Sequence, residues 1–180
     1  MTSFIIQSLV NRKPATSWAQ KDDCAFCRIV QGVAPATKLY EDEEVIAILD
    51  ILPLRPGHTL VITKTHISKL SELPPELAGA MGKAVSKVAR ALSEATGNTG
   101  LNVVCNQEYA QAVPHVHYHI IPAPILHSTT VGLDIEVENP RRSTTSTPTG
   151  KEMHRMEFEL REELDSDEAE DLANKVRARL

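Results

Sequence analysis

Three cysteines in 180 residues are too few for a secreted disulfide framework, and two of them, Cys24 and Cys27, sit close together. That scarcity points to a reducing compartment. No apolar run approaches the roughly 20 residues that a bilayer-spanning helix needs. Positive charge is in deficit: 19 Lys and Arg against 24 Asp and Glu leave a formal net charge of −5. Such a balance argues against a general nucleic-acid surface. No internal repeat is present. What remains is 42% apolar and 24% charged, the mixture of a soluble globular protein with room for one full core.

The ends read differently from the middle. Residues 1–21 hold no Asp or Glu and carry Arg12, Lys13 and Lys21. An organelle presequence shares those features, but the basic residues are few, so a flexible extension is the expectation and a mitochondrial address the weaker one. Residues 127–150 are rich in Ser, Thr and Pro and read as a long loop. Met153 to Leu164 is expected to be helical. Ser166 is expected to cap a last helix, Asp167 to Arg179, with acids at its start, bases at its end and Ala169, Leu172, Ala173 and Val176 as its packing face. The divisions are thus 1–21, 22–125, 126–151 and a C-terminal helical extension over 152–180.

Between the ends the elements follow each other closely. Arg28 to Val30 followed by Gly32 suggest a short helix. Lys38–Glu41, Glu44–Asp50 and His58–Thr63 read as strands, with Asp42-Glu43 in one turn and Pro56-Gly57 suited to another. Leu73 to Thr96 is the strongest helix: prolines open it, Gly97 stops it, and Leu77, Met81, Val85, Val88 and Leu92 make one apolar stripe. That stripe suits either a core or a subunit interface. Leu101–Asn106 is a fourth strand. The pattern is that of an antiparallel-rich α+β domain.

The chemistry concentrates in Pro114-His115-Val116-His117-Tyr118-His119-Ile120-Ile121-Pro122. In a strand, side chains alternate between faces with period two. His115, His117 and His119 then share one face, while Val116, Tyr118 and Ile120 point into a core. Imidazole is both a nucleophile and a proton carrier near neutral pH, so three in a row imply a metal, a proton relay, or attack on phosphorus or carbonyl. Cys24-x-x-Cys27 alone reads as metal or redox; the polar residues 19–23 before it lack the apolar strand a thioredoxin-like motif wants. His127 and His154 read as surface residues, Cys105 as strand packing, and Trp18 as undecided.

His-x-His-x-His followed by two aliphatics resembles the histidine triad family of nucleotide-binding hydrolases and transferases. The supporting motifs run from Cys24-x-x-Cys27 through Leu49-Asp50-Ile51, Pro56-Gly57-His58-Thr59-Leu60-Val61-Ile62, Lys64-Thr65-His66 and Asn106 to Gln111-x-Val113-x-His115. They look like the family's hydrolase branch and cover about residues 24–122. The resemblance implies an antiparallel sheet of about five strands with one long helix and a short N-terminal helix. It implies a hydrolase cleaving nucleoside 5′-monophosphate derivatives, adenosine phosphoramidate-like, through a nucleotidyl-histidine. His117 is then the nucleophile, and His119 and His58 contact the phosphate or hold ring tautomers. Asp50 grips the ribose, and Asn106 and Gln111 contact substrate. Ile29, Leu49 and Ile51 are candidate walls for the base. Cys24, Cys27, His66 and His115 match the ligands of a structural zinc. The expected partners are an adenosine or guanosine nucleotide and a second copy of the chain, with no nucleic acid or membrane, in the cytoplasm or nucleus.

Two departures from the family pattern accompany this. The loop Gln107-Glu108-Tyr109-Ala110 is shorter than usual, with Ala110 where a glycine is common, so a positive φ there would be costly. Ala112 stands where many hydrolase members carry Ser or Thr. Two further readings are a dinucleoside polyphosphate hydrolase and a non-catalytic nucleotide-binding scaffold.

Overall fold

The computed structural model describes residues 23–124 and 162–180. Trp18, the expected N-terminal extension, the Ser/Thr-rich loop, His127 and His154 lie outside the described residues. So does most of the expected helix Met153 to Leu164; its last three residues are described and are not helical.

The chain begins with α1 (Ala25–Val30), followed by three strands, β1 (Lys38–Glu41), β2 (Val45–Leu49) and β3 (Thr59–Thr63). A short 3-10 turn (Leu70–Glu72) leads to α2 (Pro75–Thr96), then β4 (Leu101–Cys105), β5 (His117–Pro122) and α3 (Ser166–Arg177). The strands make one antiparallel sheet in the order β1-β2-β3-β5-β4. The fold is α+β, as the order of elements requires.

Local chemistry sets the joints. The Asp42 carboxylate accepts the N–H groups of Glu44 and Val45 at 2.9 and 2.7 Å, which turns β1 into β2. Gly97 closes α2 at φ +67, the left-handed position that glycine takes without a Cβ penalty.

Both faces of the sheet are covered, and this governs everything about the site. Val45, Ala47 and Leu49 of β2, Val61 of β3 and Ile120 of β5 face α2 and α3 and form the larger core. Ile46, Ile48, Leu60 and Ile62 face the other way and pack with Phe26 and the cysteines around α1. β2 and β3 are therefore buried at every position. Each fully buried aliphatic contributes on the order of 1.5–3 kcal/mol.

The stripe of α2 is a core face, and it is narrower than periodicity suggested. Met81, Val88 and Leu92 are buried as expected, together with Ala84 and Ala91; Leu77 and Val85 are only partly covered. The two alanines let the helix approach the sheet closely.

α3 differs from expectation at its start. Asp165, not Ser166, is the cap, its carboxylate accepting the N–H groups of Asp167 and Glu168 at 2.9 and 3.1 Å. Ala169, Ala173 and Val176 are buried in the larger core, with Leu172 packed beside them. The C-terminal helix is thus part of the same core as α2. Arg177 pins it to the sheet edge by donating through Nε and Nη2 to the Lys38 carbonyl at 2.9 and 2.6 Å.

Candidate functional site

The histidines stand on the α1 side of the sheet. The β3–β5 register pairs Ile62 with His117 and Leu60 with His119, so both rings rise on the face that Leu60 and Ile62 share. Tyr118 and Ile120 point to the opposite core, as alternation requires. His115 corrects the expected three-histidine strand: β5 begins at His117, and His115 lies just before it. It is nonetheless fully buried beside its neighbours. The Phe26 ring meets both His115 and His117 edge-on, with centroids 5.9 and 4.9 Å away.

His117 is 3% exposed. Its Nδ1 lies 2.6 Å from the His115 carbonyl oxygen. A carbonyl only accepts, so Nδ1 carries the proton and donates it. The lone pair of the neutral ring is therefore on Nε2. Burial lowers the pKa of this imidazole, partly opposed by the His115 hydrogen bond. The ring is a buried imidazole of fixed tautomer, with its lone pair on Nε2.

His58, His119 and Asp50 form a second group beside it. The Leu54 N–H donates to His58 Nδ1 at 3.1 Å. His58 Nε2 lies 3.0 Å from His119 Nδ1, so the two rings share one hydrogen bond. The Asp50 carboxylate lies 3.3 Å from His58 Nδ1 and also accepts the Leu52 N–H at 2.9 Å.

Cys24, Cys27, His66 and His115 converge beside His117, with ligand atoms all within 4.8 Å of one another. His115 Nδ1 is 3.4 Å from Cys24 Sγ and 3.6 Å from Cys27 Sγ; His66 Nδ1 is 3.3 Å from Cys27 Sγ. Tetrahedral bonds of about 2.3 Å to sulfur and about 2.0 Å to nitrogen put such neighbours about 3.5 Å apart. The spacing fits a metal ion. So does the tautomer: His115 Nε2 donates to the Thr63 carbonyl at 2.7 Å, leaving Nδ1 as the ligand atom. Burial pushes the His115 pKa down to about 4, against the pull of that Thr63 carbonyl, so the ring is neutral, as a ligand must be.

The remaining candidates divide. Asn106 follows β4 directly, one residue beyond the Cys105–Tyr118 pair, and is partly buried. Gln111 lies in the loop before His115, with its carboxamide bonded to backbone. Ile29 packs with the α1-side cluster. Ile51 is 64% exposed beyond Asp50. Leu49 needs correction as a wall of the base pocket: it lies with Val45 and Ala47 in the opposite core, because period-two alternation turns it away from the histidines. Ile48 faces them instead. The sequence reading also passed over Phe26, the Leu54 N–H and Thr63. Only the first carried a local signal, standing inside the Cys-x-x-Cys pair.

Two open hollows lie elsewhere, about 560 Å³ along Gly82, Lys83, Ser86, Lys87 and Arg90 and about 480 Å³ around Arg55, Pro56 and Pro122. Neither is lined by a histidine.

A five-stranded antiparallel sheet presenting a buried, neutral imidazole among further histidines is the arrangement of the histidine triad class. Residues 31–124 match the HIT domain, and the chain belongs to that family. It is 42% identical over 104 residues to the adenylylsulfatase HINT3 of Arabidopsis thaliana, a match covering 57% of this chain and 53%, about half, of that protein. It is 43% identical over 103 residues to the adenosine 5′-monophosphoramidase hnt1 of Schizosaccharomyces pombe, covering 56% of this chain and 74% of that one. Among solved structures, a Zn-bound histidine triad family protein from Mycobacterium smegmatis superposes with a TM-score of 0.62 at 32% identity, over 89% of this chain and 94% of that one.

Proposed function

We propose that this protein hydrolyses nucleoside 5′-monophosphate derivatives, with adenosine phosphoramidate-like compounds as its substrates, through a covalent intermediate on His117. The observation that carries this is the 2.6 Å bond from His117 Nδ1 to the His115 carbonyl. It aims a neutral Nε2 lone pair away from the backbone before any substrate arrives. Nε2 attacks the α-phosphorus as the bond to the leaving group breaks, and the departing nitrogen takes a proton from solvent and leaves as the amine. The ring then carries positive charge, which the His115 carbonyl stabilises through Nδ1–H. Water cleaves the phosphorus–nitrogen bond, releases the nucleoside monophosphate and restores the imidazole.

His58 and His119 supply the charge stabilisation. His119, hydrogen-bonded to His58 and beside the His117 ring, is placed to donate to phosphate oxygen, and preorganised donors of this kind dominate phosphoryl-type catalysis. Asp50 and Asn106 hold the ribose and phosphate, and Ile29 and Ile51 contribute apolar surface for the base. Cys24, Cys27, His66 and His115 would hold a zinc ion, which would crosslink α1 to the segment just before β5. β4 ends the sheet, with Val103 44% exposed, which supports pairing with a second copy along that edge.

The test is turnover of adenosine phosphoramidate, adenylyl sulfate and a dinucleoside polyphosphate by wild type and His117→Ala, with mass spectrometry for a nucleotidyl adduct. The substitution is expected to cut kcat by more than about a thousandfold and to remove the adduct. Turnover that survives His117→Ala sinks the proposal. A preference for the dinucleotide moves the substrate class and leaves the nucleophile in place.

A further inference from the structure

The loop joining β4 to β5, residues 106–116, is tied down by one side chain in particular. The Gln111 carboxamide reaches three backbone groups. Nε2 donates to the Ser68 carbonyl at 2.9 Å and, at a longer 3.4 Å, to the His115 carbonyl; Oε1 accepts the Glu108 N–H at 2.8 Å. An amide nitrogen has two hydrogens. Both are committed inside the protein, so Gln111 retains only an acceptor lone pair. A phosphate oxygen needs a donor and gains nothing from that lone pair.

The His115 carbonyl is the same oxygen that takes the proton of His117 Nδ1. It belongs to the His115–Val116 peptide, whose N–H end donates to the Ile67 carbonyl at 2.7 Å. The peptide plane is therefore held at both ends, by residues 67–68 on one side and by Gln111 and His117 on the other. Rotating that plane would carry the carbonyl off Nδ1 and release the tautomer. The loop that presents Gln111 also holds Glu108 and Ala110 at φ +57 and +58, a conformation that persists only where surrounding bonds enforce it.

We infer that Gln111 is a positioning residue, which sets the tautomer of the nucleophile His117 by holding the His115 peptide, and is not a contact to substrate. The inference deepens the reading of His117 as nucleophile and rests on it for its catalytic meaning. Its structural content stands on the ligand-free protein alone.

The experiment is ¹⁵N NMR of the histidine rings in the whole, metal-loaded chain without nucleotide, comparing wild type, Gln111→Ala and Gln107→Ala. Gln107 anchors the same loop through the Ser71 N–H at 2.8 Å without touching His115, so it controls for general loosening. Wild type and Gln107→Ala are expected to show His117 protonated on Nδ1, and Gln111→Ala a mixture with the Nε2–H form. On adenosine phosphoramidate, kcat of Gln111→Ala should fall about tenfold or more while KM changes less than about threefold. A wild-type measurement covers the case of a variant that does not fold: the Gln111 side-chain amide protons should exchange slowly with solvent. An unchanged ring spectrum in Gln111→Ala, the same shift in Gln107→Ala, or rapid amide exchange in wild type would each overturn the inference. Absent turnover with the expected tautomer shift would fell the nucleotide reading and leave the positioning role standing.

Discussion

One residue carries two offices at this site. The His115 ring belongs to the group able to hold a metal, while its carbonyl orients the neighbouring His117 ring. The two are separated by only a few bonds, so strain in one reaches the other. Close by, Ala110 sits at φ +58, the cost foreseen where the chain carries alanine in place of a common glycine. An L-residue loses about 1–2 kcal/mol in this region, and glycine loses about 0.5–1 kcal/mol of unfolded-state entropy. Ala110→Gly should therefore stabilise the protein by about 0.5–1 kcal/mol. Urea unfolding measures it, and a midpoint that falls on substitution contradicts a left-handed Ala110. Glu108 should gain less from the same change, because Lys69 Nζ lies 2.6 Å from its carboxylate, an exposed pair of small but nonzero worth.

At the scale of elements, α3 is the informative one. It lies outside the matched HIT domain, yet Ala173 and Val176 are fully buried, and Leu172 packs close to Gly57 in the loop between Asp50 and His58. The Leu164 N–H before the helix donates to the Ile51 carbonyl at 2.9 Å, a second tie to that loop. The helix thus braces the segment that positions Asp50 and His58. Asp165→Ala removes the cap of two N–H groups and should cost about 1 kcal/mol. Val176→Ala leaves a cavity in the main core and should cost about 2 kcal/mol. Denaturant midpoints test both; an unaltered midpoint for Val176→Ala would mean that α3 is not packed as described. Its dipole pattern was readable in the chain, since acids cluster at the start and bases at the end. The Asp165 cap was not, because Asp165 and Ser166 are both competent caps, and the backbone entry angle decides between them.

For the molecule as a whole, the sheet is a partition. One face is held by α2 and α3 through aliphatic packing. The other is held by α1, a helix of six residues, too short to be stable alone. It is held to the sheet by the packing of Phe26 and Ile29 and by the cysteine–histidine group. A bound metal there should hold α1 in place, so removing it should loosen this face first. Treatment with a strong chelator is expected to release about one equivalent of zinc and to lower the melting temperature by roughly 10 °C. Cys27→Ala should reproduce the shift without chelator. A preparation free of metal that melts unchanged would sink the zinc assignment.

The sequence alone determined the alternation of histidines with core residues, the span of the long helix between its prolines and Gly97, and the order of strands and helices; the set of four metal-ligand candidates came from the family resemblance. The first three are local signals: backbone periodicity or a turn residue. Tertiary structure alone decided which ring nitrogen of His117 carries its proton, that His115 lies off the strand, that Leu49 and Ile48 face opposite cores, and that Gln111 spends its donors on backbone. These depend on partners far along the chain, such as Thr63 and His115 or Ser68 and Gln111. A side chain's partner and its proton are settled by what the fold brings against it, and periodicity holds no record of that.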